Sequence, residues 1–216
     1  MTRGVRAGGV VLAGVAAGVL VGRRWQARWG ATPDEVGATL PGDVLLEGPD
    51  VVATRAIGIA AEPARVWPWI AQMGQGRGGL YSYDFLENLV GCDMHSADEV
   101  VPAWQQVEVG DDFRLHPEVA LTVAVVEPGH ALVVRGGVPM GEEAAPYDFT
   151  WAFIVVGQVD GTTRLIVRER YRCTQPWARL LVEPLQAVSF AMSQKMMRGI
   201  KRRAEHLQRD DDDGRP

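Results

Sequence analysis

Cysteine is scarce in this chain, and the two cysteines that it has lie far apart. The 216 residues include only Cys92 and Cys173. They form no CxxC pair, so the spacing excludes the common zinc-ribbon sites and small disulfide-bonded scaffolds. We therefore predict two free thiols, no metal site and no cofactor.

A broad basic surface is also missing. The chain has 22 Lys and Arg against 27 Asp and Glu, a net charge of -5 at pH 7. This balance disfavours a nucleic-acid partner. Four consecutive aspartates begin at Asp210, and such a charge run predicts an acidic disordered tail over residues 210–216. The rest has ordinary globular composition, with 47% hydrophobic residues, which excludes wholesale disorder.

Long apolar runs are limited to one, at the N-terminus. Residues 7–22 contain only Ala, Gly, Val and Leu, and arginines flank them on both sides. As a helix this run extends roughly 24 Å, less than the ~30 Å of a bilayer core. Trp25 and Trp29 follow it at positions typical of interfacial aromatics. We expect residues 1–30 to be a membrane anchor.

The charges around this run predict its orientation. More arginines follow it than precede it, which places the domain on the cytoplasmic side of the cytoplasmic membrane. The alternative is a signal peptide and a secreted protein. Small residues four apart favour close helix approach and self-association; they are Gly14, Gly18 and Gly22.

Residues 31–49 predict a linker, because Pro and Gly are dense there. We place the boundary of a single domain, residues 50–209, near Asp50. A strand is predicted over residues 51–60 and a helix over 63–73, opened by Pro63. A second short helix is expected from Ser82 or Tyr83 to about Val90, capped by Ser82, with a buried side formed by Phe85, Leu86 and Leu89.

The rest of the domain predicts strands in series and then one long helix. Turn residues separate the strands, which are expected at residues 113–116, 120–126, 130–135, 149–156 and 162–171. The helix is expected from Pro184 to about Gln208. Its apolar stripe consists of Val188, Met192, Met196, Ile200, Ala204 and Leu207. Its basic residues are expected to face outward. Helices separate from an antiparallel sheet make an α+β fold.

This order of elements resembles the START/Bet v 1-like superfamily. It looks most like bacterial SRPBCC proteins related to polyketide cyclases and lipid-transfer domains. The resemblance covers residues 51–208, through AEPARVWPWIAQMGQGRGGLYSYDFLENLVG, VVPAWQQVEVGDDFRL, FTWAFIV and MMRGIKRRAEHL. It implies a helix-grip fold, in which a curved antiparallel sheet wraps the C-terminal helix and leaves an apolar cavity. It does not imply a reaction, because this architecture serves carriers, cyclases and regulators alike.

A polar cluster follows the glycine-rich loop at residues 74–79. The sequence leaves open whether it lies at the mouth of a pocket or only caps and fixes a loop. Its members are Tyr81, Tyr83, Asp84, Glu87 and Asn88. Close by, Asp93, His95 and Asp98 combine carboxylates with a histidine, yet their spacing matches no standard metal site. We expect an ordinary loop there.

Later segments supply further candidate ligand-binding residues. Glu169 lies between Arg168 and Arg170 on a strand, so it faces opposite to them. We expect the arginines to face solvent, and an inward-facing Glu169 would need a partner. The aromatic candidates are Trp104, Trp151 and Phe153, which fit a pocket wall or plain core. Met192 and Met196 suit a variable apolar ligand.

These observations predict a non-enzymatic, membrane-tethered module that binds or transports a lipid-like or polycyclic molecule. The short helices and the loop at residues 74–79 are expected to form a lid. One alternative is a cyclase- or hydrolase-like enzyme that uses Asp84, Glu87 or His95 as acid or base. Another is an envelope or stress interaction protein without a small ligand.

Overall fold

Six antiparallel strands form one open sheet in the computed structural model, which describes residues 21–138 and 144–212. Their order across the sheet is β1-β6-β5-β4-β3-β2. Asp160 and Gly161 make the tight turn between β5 and β6 that the Asp-Gly signal predicts. The strands are β1 (Val51–Ile59), β2 (Asp112–His116), β3 (Val119–Glu127), β4 (Ala131–Gly136), β5 (Tyr147–Gly157) and β6 (Thr163–Cys173).

Besides a helical stretch at residues 21–27, four further α-helices accompany the sheet in the described residues. They are α1 (Pro33–Gly37), α2 (Pro63–Ala71), α3 (Asp84–Leu89) and α4 (Ala178–Asp212). Pro63 lies in the first turn of α2, where its missing N–H costs no hydrogen bond. The long α4 packs on one face of the sheet together with α2. This arrangement confirms the predicted α+β helix-grip fold.

The sheet is buried on both faces. On β5, Phe149 and Phe153 point to the inner face, which α4 and α2 cover. Ala152 and Ile154 point to the outer face and pack in a second apolar cluster. Successive side chains of a strand point to opposite faces of a sheet, so β5 contributes to both the inner and the outer apolar cluster.

Residues 31–49, expected to be a linker, lie against that outer face. Leu40 packs on the outer cluster. The Arg168 guanidinium donates to the Ala38 carbonyl at 2.8 Å and pairs with Asp43 at 2.6 Å. Arg170 also pairs with Asp43, at 2.9 Å. The expectation that both arginines face solvent is therefore wrong, because the preceding segment covers them.

The terminal helix differs from its predicted bounds. It begins at Ala178, so Pro184 lies inside it instead of opening it, and it continues through Asp212. The first residues of the predicted acidic tail are thus helical. Several of its basic residues, which were expected to face outward, contact other parts of the protein. Lys201 donates to the Gly58 carbonyl at 2.6 Å, and the Arg198 guanidinium lies over the Trp29 ring at 5.4 Å.

Helix α3 has its buried side reversed with respect to expectation. Phe85, Leu86 and Leu89 are exposed, whereas Glu87 is buried. Ser82 does not cap the helix; its hydroxyl donates instead to the Met192 carbonyl at 3.2 Å. The prediction followed apolar spacing within a helix of only six residues, too short for that pattern to fix its orientation.

The predicted single-span membrane anchor, with its cytoplasmic-membrane location, is not supported. In the described part of the chain, no helix is both long enough and apolar enough to cross a membrane. Most of the apolar run that suggested the anchor, including Gly14 and Gly18, lies outside the described residues.

Candidate functional site

A cavity of about 370 Å³ lies between the inner face of the sheet and the first half of α4. Its volume is in the range of small-molecule sites. Strand residues Tyr147, Phe149, Trp151, Glu169 and Tyr171 form one wall. The opposing helix contributes Leu185, Val188, Ser189, Met192, Ser193 and Met196. Residues 80–94 supply the third side, through Leu80, Ser82, Glu87, Cys92 and Met94.

The cavity exists because the two halves of α4 meet the sheet differently. In the second half, Met196, Met197, Ile200 and Ala204 are fully buried. In the first half, Val188 lines the cavity while 59% of it is exposed. Val188 therefore marks the opening of the cavity to solvent.

Aromatic rings make up much of the strand wall. The Phe149 and Tyr171 ring centroids are 4.6 Å apart, and those of Trp151 and Phe153 are 4.7 Å apart. Rings at these separations stabilise one another and form a rigid apolar surface. Burial raises the pKa of Tyr147 and raises that of Tyr171 well above its usual value, with the nearby Glu169 charge adding to the second shift. Both phenols are therefore neutral donors at physiological pH.

Glu169 is the better satisfied of two carboxylates in the cavity wall. Its Oε1 accepts from Arg55 Nη1 at 2.6 Å, and both side chains are almost fully buried, at 2% and 1% exposed. The Ser193 hydroxyl donates to Oε1 at 2.9 Å, and the Ser189 hydroxyl to Oε2 at 2.6 Å. A buried carboxylate needs such compensation. The network also ties α4 to β6 and β1.

Glu87 is the other carboxylate, and its surroundings are quite different. It is only 6% exposed, and neither carboxylate oxygen has a hydrogen-bond partner among the described residues. Burial, with a smaller contribution from the Asp84 charge, raises its pKa from 4.5 to about 7. Burial and the Glu87 charge also raise the pKa of the Cys92 thiol. A carboxyl group with this pKa changes charge near neutral pH.

Helix α3 turns Glu87 inward because its neighbours are fixed to the following loop. Asp84 accepts from the Ser96 backbone N–H at 2.7 Å and from its hydroxyl at 2.6 Å. The Asn88 side-chain amide donates to the Met94 carbonyl at 2.9 Å. These contacts hold the short helix in place, so both residues fix the loop, which is one of the roles that the sequence left open, although neither caps the helix.

The structure brings some of the predicted binding residues together in the cavity wall. They are Glu87, Trp151, Glu169, Met192 and Met196. Phe153 is buried in the core behind the wall, and Trp104 lies in a separate short helix, Pro102–Trp104. Tyr83 is exposed under Lys195, 5.7 Å from its ring centroid.

Tyr81 is buried at the packed end of α4 and does not line the cavity. Its ring meets that of Trp69 edge-on at 5.9 Å, and the Arg203 guanidinium lies 4.8 Å from its centroid. Its backbone has a positive φ of 56°, unusual for a residue other than glycine. A Cβ added to Gly199 would lie 2.4 Å from the Tyr81 carbonyl oxygen, so only glycine lets the helix approach this closely.

The remaining acid–base candidate lies away from the cavity wall. His95 is exposed and contacts Asp93 at 3.2 Å. Asp98 pairs instead with Arg203 at 2.7 Å. The three side chains do not converge, and within the described residues no group of three potential ligands could hold a metal ion. Cys92 and Cys173 are free thiols.

The loop at residues 74–79 does not line the cavity. Gly74 and Gly79 pair with each other, and the Arg77 guanidinium donates to the carbonyls of Ala71 and Trp104. These bonds fix the loop beside α2, so the expected lid role is wrong for this segment. The α3 region, through Leu80, Glu87 and Met94, does contribute to the cavity wall.

Sequence reasoning missed several wall residues. Tyr171 follows Glu169 by two positions on the same strand, so an inward Glu169 implies an inward Tyr171. Ser189 and Ser193 are four apart on α4, and this spacing places them on one helix face. Arg55 had no local signal, because the sequence gives no register between β1 and β6.

Comparison with known proteins finds matches among solved structures. No protein-family model matches the chain, and a search of curated proteins finds no match. Norcoclaurine synthase from Thalictrum flavum matches over 70% of this chain and 84% of its own, with 16% identity and a TM-score of 0.43. CalU16 from Micromonospora echinospora matches over 72% and 84%, with 16% identity and a TM-score of 0.35.

A hypothetical protein from Helicobacter pylori matches over 77% of this chain and 95% of its own, with 11% identity and a TM-score of 0.47. At such identities and scores these matches carry no argument about ligand or reaction. The strand order and the terminal helix show that the chain has the helix-grip fold implied by its resemblance to the START/Bet v 1-like superfamily.

Proposed function

We propose that this protein binds a hydrophobic small molecule, lipid-like or polycyclic, in the cavity between the sheet and the first half of α4. The observation that carries the proposal is the cavity itself. It is about 370 Å³ in volume, opens beside Val188, and is lined mainly by aromatic and aliphatic side chains. A ligand that leaves water for such a wall gains about 25 cal/mol for each Å² of buried apolar area.

The wall combines a rigid side with an adaptable side. The strand aromatics, such as Phe149 and Trp151, stack on one another and present a fixed surface. Met192 and Met196 on α4 are flexible and polarizable, and such side chains adjust to ligands of different shape. This combination suits a binding or transport module better than a packed interaction domain, which needs no internal space.

Of the three predicted acid–base candidates for a cyclase-type enzyme, Glu87 alone lines the cavity. Asp84 is committed to Ser96, and His95 lies on the surface. Glu87 lines the cavity, and its pKa of about 7 is suited to a general acid or base. Glu169, the other carboxylate of the wall, is held by Arg55 and two serines.

Titration of the purified full chain with Nile red, a neutral polycyclic dye, tests the proposal. We expect saturable binding with enhanced dye fluorescence. Val188→Trp should weaken the binding about tenfold or more, because the indole narrows the opening of an apolar site. Leu180→Trp is the matched control, since Leu180 is exposed on the same helix and does not line the cavity.

Two results would contradict the proposal. The first is no saturable binding by the wild-type protein, and the second is equal binding by wild type and Val188→Trp. Turnover is a separate outcome. If the wild-type protein converts a bound polyketide-like ligand chemically and Glu87→Gln does not, the protein is an enzyme and not a carrier.

A further inference from the structure

Charge along the cavity wall is of one sign. Its ionisable carboxylates are Glu87 and Glu169, and among the described residues that line it there is no Lys or Arg. A carboxylate or phosphate head group would enter this cavity beside negative charge without a cation to meet it. Like charges in a partly desolvated site repel strongly.

Only one of these two carboxylates lacks a partner. Glu169 is balanced by the Arg55 guanidinium and by two serine hydroxyls. Glu87 is buried with both oxygens unpaired. A buried polar group without a partner is rare in folded proteins, because it loses its hydrogen bonds to water. Its presence in a cavity wall indicates a position that a ligand group completes.

We propose that the ligand of this cavity carries a protonated amine that pairs with Glu87, and that the cavity discriminates against carboxylate and phosphate head groups. This inference rests on the proposed function, since it concerns the ligand of the same cavity. A cationic nitrogen supplies the donors that the two Glu87 oxygens lack. The aromatic wall also tolerates a cation, because ring faces attract positive charge.

Ionisation of Glu87 makes the pairing depend on pH. The ionisable groups around it are Asp84 on its own helix, Cys92 just beyond, Tyr147 on β5, and Glu169 and Tyr171 on β6. The α4 side chains that line the cavity are uncharged, and Lys195 of that helix lies over Tyr83. Since Glu87 loses its proton near pH 7, amine affinity rises from below to above this pH.

Three probes that share one ring system test the inference. They are 2-naphthylethylamine, 2-naphthylethanol and the carboxylate 2-naphthaleneacetate. Each is titrated calorimetrically into the full chain on either side of neutral pH. On the alkaline side we expect the amine to bind about tenfold more tightly than the alcohol, and the acetate more weakly than the alcohol. The amine preference should shrink on the acid side, while the alcohol affinity stays constant.

Glu87→Gln should abolish the difference between amine and alcohol and its pH dependence. Glu108→Gln is the control, because it removes one exposed carboxylate away from the cavity. Equal binding of amine and alcohol by the wild type would overturn this inference and leave the proposed function intact. So would a preference for the acetate, or an amine preference that survives in Glu87→Gln. Binding of none of the probes would contradict both proposals.

Discussion

The two halves of α4 lie on the same sheet and meet it in opposite ways. The second half, around Gly199 and Ile200, packs closely against α2 and Tyr81. In the first half, Ala178 and Val182 are buried, whereas the turns around Val188 and Met192 stand off and leave the cavity. Between them Ser189 and Ser193 hold the Glu169 carboxylate. One helix thus anchors the fold at one end and forms a candidate binding site at the other.

The difference shows how a single domain combines stability with a cavity. A close-packed interior stabilises a protein by many contacts, and each missing contact lowers stability. Here fully buried residues of α4, such as Val182, Met197 and Ile200, lie beside the cavity. The buried ion pair of Arg55 and Glu169 marks the boundary, since it fixes α4 to the sheet where packing stops.

The largest effect is expected where this boundary is broken. Glu169→Ala leaves Arg55 charged and buried, and we expect the free energy of unfolding to fall by about 3–5 kcal/mol. Urea denaturation followed by circular dichroism measures it. Glu183→Ala is the control, because it removes an exposed pair with Arg23 and should cost at most about 1 kcal/mol. Similar losses in both variants would show that the buried pair does not fix α4 to the sheet.

A smaller effect is expected in the packed half. Gly199→Ala places a methyl group against the Tyr81 backbone, and we expect a loss of about 1–3 kcal/mol from overpacking. Helix propensity alone predicts the opposite sign, a gain of about 1 kcal/mol. Ala191→Gly, at an exposed position of the same helix, calibrates that propensity. A more stable Gly199→Ala protein would mean that α4 is not tightly packed at this end.

The smallest effect is expected in the open half, and it depends on pH. The folded pKa of Glu87, about 7, lies above its usual 4.5, so folding stability falls as pH rises between these values and then levels off. Glu87→Gln removes this fall. Above neutral pH the variant should be more stable than wild type by about 1–2 kcal/mol, less than the full shift implies because water in the open cavity screens the charge.

Thermal unfolding across a pH series checks this last expectation. On the acid side, below the usual carboxyl pKa, wild type and Glu87→Gln should unfold alike. The Glu108→Gln protein should keep the wild-type pH dependence throughout. A constant difference between wild type and Glu87→Gln at all pH values would show that Glu87 does not change charge in this range.

The fold was predictable because its signals are local and repeated. The strands from β1 to β6 lie within a few residues of their predicted positions, since turn residues such as Asp160 and Gly161 separate them. The site was only partly predictable. Met192 and Met196 follow from the helical stripe, whereas α3 was predicted with the wrong buried side because six residues carry too weak a pattern.

By itself, the sequence determined the order of the elements, the apolar stripe of α4 and the placement of Glu169 on the face opposite to Arg168 and Arg170, which follows from alternation along a strand. Only the tertiary structure decided which partners these groups meet. The register of β1 against β6 brings Arg55 to Glu169, and the loop after α3 turns Glu87 inward. Such contacts join residues far apart in the chain, so no local pattern encodes them. They decide that the Glu169 carboxylate has partners and that the Glu87 carboxylate has none among the described residues.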